Sequence, residues 1–261
     1  MNTPISFGRR SEIYKLDDHK VLKLYDFDFP QQKVVGEFNK TLAIYNARLL
    51  NIPKPIEVFE RDGRAGIIFE KVSNTALIDL FQKKPWLYLF YQKKITDIHK
   101  QIHKIQIKDL PTQVSEFEST IANSDKLLKE DKNDLLRILK RKHRPVLCHG
   151  DFHHGNLILR GNEYYVIDWM DAFVGDFRLD VALTAVNAAV SDAPKHVPAF
   201  YRYTYELLKR LFGLDKHYIE LYGLKEQGMK DLIFLAAGIH LVRHSQKNDS
   251  LHRRYFEKAK T

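Results

Sequence analysis

The chain has 261 residues, 44% of them aliphatic or aromatic, which is enough for a sizeable core in one large domain or two lobes and excludes wholesale disorder. No stretch approaches the roughly eighteen uninterrupted apolar residues a membrane helix needs, and the N-terminus MNTPISFGRRSEIYKL lacks a basic-then-apolar leader, so neither a membrane protein nor a secreted one is expected. The formal net charge is +9, but basic residues interleave with acids, as in KEDKNDLLRILKRKHR, and neither zinc-finger spacing nor an RNA-binding aromatic signature appears, so nucleic acid is not the expected partner.

In chain order, SEIYKL and KVLKLY alternate around the polar turn DDH and read as a hairpin. QQKVVGEFNKTLAIYNARLL carries Val34, Phe38, Leu42, Tyr45 and Leu49 at helical spacing. IPKPIEVFE and AGIIFEKV flank the turn signal RDGR and form a second strand pair. From Leu77 the pattern is mostly helical, with Pro85 breaking or starting a helix in LIDLFQKKPWLYLFYQKKITDIHKQIHKIQ. The exceptions are NLILR and YYVID, two short apolar runs joined by GNE. This divides the chain into a strand-rich part, residues 1–72, and a mainly helical part, residues 73–261. There is no internal repeat. Cys148 is the only cysteine and cannot form an internal disulfide, which fits a reducing cytoplasm.

The stretch LCHGDFHHGNLILR, Leu147 to Arg160, holds the densest polar chemistry. A hairpin centred on Asn162 makes Asn156 and Asp168 cross-strand neighbours, with Cβ atoms about 5 Å apart. Asp151 lies five residues before Asn156, across FHHG. Carboxylate and amide oxygens of this kind suit Mg²⁺, particularly with phosphate oxygens completing the shell. Zinc prefers histidine or thiolate. The adjacent His153 and His154 point different ways on an extended loop, and HKQIH, with His99 and His103, lacks the glutamate of a zinc-protease helix. His99 and His103 are therefore expected to be partly buried helix histidines.

HGDFHHGN, followed after the hairpin by IDW, resembles the signature of the aminoglycoside phosphotransferase and choline kinase superfamily, and GDFRLDVA resembles that family's next segment. The glycine-containing hairpin, VLKLY, a glutamate-bearing helix, IPKP and GIIFEKV follow in the family's order. The resemblance implies an α+β, two-lobed protein-kinase-like fold, with a small β-rich N-lobe, a larger mainly helical C-lobe and ATP in the cleft. It implies an ATP-dependent transfer of the γ-phosphoryl group to a hydroxyl of a small molecule. Asp151 would then orient the acceptor hydroxyl and take its proton, and Asn156 and Asp168 would hold Mg²⁺ on the nucleotide. Lys23 would reach the phosphates, Glu37 would pair with Lys23, and Glu70 to Val72 would meet the adenine. Taken alone, Lys23 also reads as the outward residue of an alternating strand, and Glu12 rivals Glu37 as its partner. His149 is expected to buttress the loop, and Asp180 to brace it or cap the next helix.

The departures from the family pattern are a lone Gly8 where a glycine-rich loop is usual, His154 in place of a common proline, and Trp169 where protein kinases carry phenylalanine. The missing activation segment between IDW and GDFRLD argues against an atypical protein kinase, and the intact Asp151, Asn156 and Asp168 argue against a silent nucleotide-binding regulator. The choice between ATP and GTP, and the oligomeric state, stay open. From Val186 onward there are eight acidic residues against thirteen Lys and Arg, which argues against a polycationic acceptor. Arg202, Tyr205, His240, Arg243 and His244 are the candidate acceptor-binding side chains, the last three sharing one helix face.

Overall fold

The computed structural model describes residues 3–8, 10–72, 75–77, 88–191, 199–244 and 249–260. Pro85 lies outside them. The chain divides into two compact units. One joins Met1–Asp79 to His154–Asp171, and the other joins Leu80–His153 to Ala172–Thr261. The first unit thus runs past Val72 and takes in the hairpin from the middle of the chain. The organisation is α+β, as expected.

The first unit is built on a five-stranded antiparallel sheet in the order β1-β2-β3-β5-β4. Its strands are β1 (Ser6–Phe7), β2 (Ser11–Lys15), β3 (Lys20–Tyr25), β4 (Pro55–Arg61) and β5 (Arg64–Glu70). Turn chemistry explains two of its features. In the β2–β3 loop the Asp17 carboxylate accepts the His19 N–H at 2.7 Å, an Asx turn. Between β4 and β5, Asp62 and Gly63 both have positive φ, at 52° and 74°, the conformation of a type I′ hairpin turn. Helix α1 (Gln31–Asn46) covers one sheet face. A second sheet holds β6 (Thr75–Ala76), β8 (Leu157–Arg160) and β9 (Glu163–Val166).

The period of two along β3 sorts its side chains between two cores. Leu22 and Leu24 pack with Ile68 on one face. Tyr25 packs with Val34, Ala65 and Ile67 on the other, under α1. Lys23 shares that covered face with Tyr25, so it is not an outward strand residue. The face that α1 buries also differs from expectation. Val34, Glu37, Thr41 and Ile44 are its buried positions, Phe38 is partly buried, and Leu49 is exposed beyond the helix end. A charged residue, Glu37, turns inward because a cation waits there.

The second unit is mainly helical: α2 (Tyr88–Ile102), α3 (Gln113–Ala122), α4 (Lys129–Leu139), α5 (Phe177–Val190), α6 (Ala199–Phe212), α7 (Leu214–Tyr222), α8 (Lys230–His244) and α9 (Asp249–Lys260). β7 (Val146–Cys148) pairs antiparallel with β10 (Phe173–Gly175). α5 is buried on almost every side, so its hydrophobic residues run all round it. Its N-cap is Asp176, which accepts the Arg178 N–H at 3.0 Å; Asp180 is not the cap. Among the described residues, no helix is long and apolar enough to cross a membrane.

Candidate active site

In the first unit, Lys23 of β3 donates to Glu37 Oε1 of α1 at 2.8 Å and to Asp168 Oδ1 at 2.9 Å. The hydroxyl of Tyr25 donates to the other oxygen of Glu37. Lys23 is 13% exposed, Glu37 1% and Asp168 39%, so the cluster is most open to solvent at Asp168. Burial alone would lower the Lys23 ammonium, but the carboxylates of Asp168 and Glu37 outweigh it and hold the lysine charged. Burial raises the Glu37 carboxyl, and Lys23 opposes that shift. One cation between two carboxylates leaves a surplus of negative charge at the exposed end. The rival Glu12 is occupied elsewhere, accepting from Arg64 at 2.7 Å and from the Tyr14 hydroxyl at 3.0 Å.

The β8–β9 hairpin corrects one expectation. Leu157 pairs with Val166 and Arg160 with Glu163, so the turn is Gly161–Asn162 and is not centred on Asn162. Gly161 has φ 62°, the first position of a type II′ turn, where glycine is favoured. In this register Asn156 falls opposite Ile167, whose N–H donates to the Asn156 carbonyl at 3.0 Å. Pairing of Asn156 with Asp168 therefore does not arise from the ladder. Asn156 ends a short 3₁₀ turn, His154–Asn156, and is buried. Asp168 leaves the strand in the left-handed region, φ 64°, where aspartate is tolerated better than most residues. A carboxylate and an amide oxygen at the ends of one hairpin are the hard donors that Mg²⁺ prefers, and the surplus negative charge beside Asp168 fits a divalent cation.

Glu70 closes β5, its N–H bonded to the Lys54 carbonyl at 2.9 Å, and the Lys71 N–H is taken by His19 at 2.7 Å. The N–H of Val72 donates to no backbone carbonyl among the described residues.

In the second unit, the loop after β7 is anchored from below by Asp180 of α5. This buried carboxylate accepts the N–H of His149 at 2.6 Å and of Gly150 at 2.9 Å. It also meets His99 Nε2 at 2.9 Å and His103 Nε2 at 3.0 Å. Tyr218 and Tyr222 hold the opposite nitrogens, each at 2.7 Å. Burial, then His103, push His99 down to about 3 against the pull of Asp180, so His99 is neutral and donates from Nε2. The Asp180 carboxyl, which burial would raise, is held well below the usual range by His99 and His103. His99, His103 and Asp180 are zinc-ligand types gathered within 4.8 Å. The short N···O separations and the backbone donors fit a hydrogen-bond network, and no metal role follows. The two histidines are thus more than partly buried helix residues, because they brace the loop through Asp180. Spacing did reveal that they share a helix face, but their common partner lies far along the chain.

Asp151 follows Gly150 directly, and Gly150 has φ 82°. Its Oδ1 accepts Asn187 Nδ2 at 3.0 Å, and His153 Nε2 lies 3.7 Å from Oδ2. Burial would raise its carboxyl, but His153, His149 and His240 outweigh that and keep it well below the usual carboxylate range. A charged Asp151 is ready to accept a proton contact. Asn187 escaped the sequence reading. The available signal was a polar stripe, Asp180, Thr184 and Asn187, along one face of an otherwise apolar helix.

Three of the candidate acceptor-binding residues, His240, Arg243 and His244, lie on α8. Arg243 donates to Glu116 at 3.0 Å and lies over the Phe117 ring, so its charge is already met. His240 is buried, stacked on His252 at 5.9 Å. Arg243 and His240 therefore have protein partners of their own. Arg202 is exposed, and the side chains of Tyr205 and His244 lie outside the described part of the structure.

This is an α+β protein with a protein-kinase-like fold, in which a lysine–glutamate pair lies in the strand-rich unit and an aspartate loop in the helical one. The chain belongs to the phosphotransferase enzyme family, whose model matches residues 2–216. Among solved structures it is similar to a thermostable mutant of aminoglycoside phosphotransferase APH(4)-Ia in complex with ADP and hygromycin B, at 15% identity and TM-score 0.63, covering 99% of this chain and 91% of that one. It is similar to APH(2″)-IIIa with GDP and kanamycin, at 14% identity and TM-score 0.58, covering 98% and 92%. It is also similar to APH(3″)-Id of Streptomyces rimosus, at 16% identity and TM-score 0.55, covering 88% and 89%. No curated protein sequence matches the chain.

Proposed function

We propose that this protein is a small-molecule kinase that transfers the γ-phosphoryl group of ATP to a hydroxyl group. The observation that carries the reading is Lys23, held between Glu37 and Asp168 on the covered face of the sheet. A lysine has no structural reason to sit there, and phosphoryl transfer needs a positioned cation for the nucleotide phosphates. Glu37 keeps Lys23 extended. Asn156 and Asp168 would hold Mg²⁺, which neutralises phosphate charge when bound. Val72 offers a backbone N–H to the adenine, next to Glu70 at the strand end. Asp151 receives the proton of the acceptor hydroxyl, because phosphoryl transfer asks a base to orient the nucleophile more than to activate it. The family match runs through both compact units, and so does this division of tasks.

The acceptor class is a neutral or anionic hydroxylated metabolite. Among the described residues, His153, His149 and His240 act on the Asp151 carboxylate in the direction that favours its charged form, and histidines beside the acceptor do not favour a polyamine. The solved relatives with hygromycin B and kanamycin therefore share the fold without defining this acceptor. Steady-state ADP release across matched sugars, amino alcohols, hydroxy acids and aminoglycosides tests both parts of the proposal. Neutral and acidic acceptors should give the higher kcat/KM. A cationic aminoglycoside turned over at about 10⁴ M⁻¹s⁻¹ or faster, ahead of every neutral and anionic compound, would refute the charge argument.

A further inference from the structure

We infer that Asn187 of α5 is the positioning residue for Asp151, fixing through its bond to Oδ1 the rotation of the carboxylate that meets the acceptor hydroxyl. The inference rests on the proposed role of Asp151 as the proton acceptor. A carboxylate on a loop can rotate about χ2, and rotation exchanges its two oxygens. The Asn187 amide stops that exchange with a donor 3.0 Å from Oδ1. His153 Nε2 stands 3.7 Å from the other oxygen, Oδ2, at ion-pair distance.

The amide is itself oriented. The Ser191 hydroxyl donates to Asn187 Oδ1, and the Ser191 N–H donates to the Asn187 carbonyl at 2.9 Å. An amide flipped end for end would set its oxygen against the Asp151 carboxylate, placing two acceptors face to face. The Ser191 carbonyl accepts Lys209 Nζ of α6 at 3.0 Å, which ties the end of α5 to the next helix. Asp180 holds the backbone of the loop from the same helix, seven residues earlier. One rigid, buried helix thus sets both the loop height, through Asp180, and the carboxylate rotation, through Asn187.

Among the described residues, His153 and His149 of its own loop and His240 of α8 act on the Asp151 charge, while Asn187 faces it from α5. Asn187→Ala removes the oriented donor, and Asn187→Asp sets a second carboxylate against Oδ1, which disfavours the charged form of Asp151.

The experiment uses the full chain with Mg²⁺ and ATP, water being the acceptor, and follows ADP release against pH for wild type, Asp151→Asn, Asn187→Ala and Asn187→Asp. Asn187→Ala should lower kcat about tenfold with the KM for ATP unchanged. Asn187→Asp should move the acid limb of the kcat profile to higher pH. In parallel, ¹³C carboxyl titration, with the Asp151 resonance assigned by its loss in Asp151→Asn, should show the Asp151 transition at higher pH in both Asn187 variants. If Asp151→Asn is inactive while Asn187→Ala keeps wild-type kcat and titration, the positioning role is overturned and the kinase reading stands. If wild type releases no ADP with water as the acceptor, the kinase reading is decided by the acceptor panel. The titration then still decides whether Asn187 governs the Asp151 carboxylate, and an unmoved transition overturns that.

Discussion

Lys23 and Glu37, fourteen residues apart, meet across 2.8 Å between β3 and α1, on a face built from Tyr25, Val34, Ala65 and Ile67, with Asp168 taking the second bond of the lysine at 2.9 Å. A buried ion pair of this kind is weak evidence for stability, since desolvation offsets much of its attraction. Its retention makes sense as a device that holds an extended ammonium for a phosphate. Glu37→Gln keeps the shape and removes the charge. It should weaken ATP binding roughly ten- to a hundredfold, the range expected for losing one charge-assisted hydrogen bond, while the protein remains folded. Isothermal titration with ATP measures this, and unchanged affinity would detach Glu37 from the nucleotide.

The hard oxygens of Asn156 and Asp168 lead to a metal requirement. ATP should raise the melting temperature more in Mg²⁺ than in EDTA, because a ligand at a hundred times its Kd adds about 2.7 kcal/mol of stability. Asp168→Ala should abolish the difference between the two conditions. An equal shift with and without Mg²⁺ would remove the metal role from both residues.

Asp151 separates chemistry from binding. Asp151→Asn should lower kcat roughly 10²- to 10⁴-fold and leave ATP affinity nearly intact, because the base acts on the acceptor. A variant that binds ATP poorly yet turns over normally would make Asp151 a structural or metal-binding residue instead.

His99 gives the fold a defined response to acid. The buried neutral ring binds fewer protons than histidine in the unfolded chain, so acid favours unfolding. Its contribution is fully present above the ordinary histidine value of 6.5 and is lost progressively as pH falls toward about 3. Chemical denaturation at several pH values should show stability falling below neutrality by up to about 1.4 kcal/mol per pH unit from this one group. His99→Gln should be less stable at pH 7.5 and should lose less on acidification. Equal acid slopes for the two proteins would contradict the neutral, donating His99 inferred from the Asp180 network.

The order of elements and the β4–β5 turn were legible from the chain alone, because they depend on neighbours in sequence. Asp62–Gly63 announces a tight turn through its own conformational freedom, and HGDFHHGN with IDW carries its chemistry within a few residues. Helix faces were less legible. The apolar stripe of α1 pointed to Phe38, Leu42 and Leu49, while the buried face turned to admit Glu37. Hydrophobic period counts apolar residues and is blind to a charge whose partner lies on another strand. The hairpin register slipped by one for a similar reason: a glycine at φ 62° closes a two-residue turn, and backbone geometry outranks symmetry about a polar centre.

What only the tertiary structure decided is which charge meets which. Lys23 and Asp168 are 145 positions apart, Asp180 gathers histidines from about eighty positions upstream, and Arg243 is neutralised by Glu116, 127 positions away. Sequence determines the chemical menu, since each side chain carries its own charge, donors and reach. Partner choice follows from burial, because a charge taken out of water must find its opposite wherever the packed chain brings one within about 3 Å.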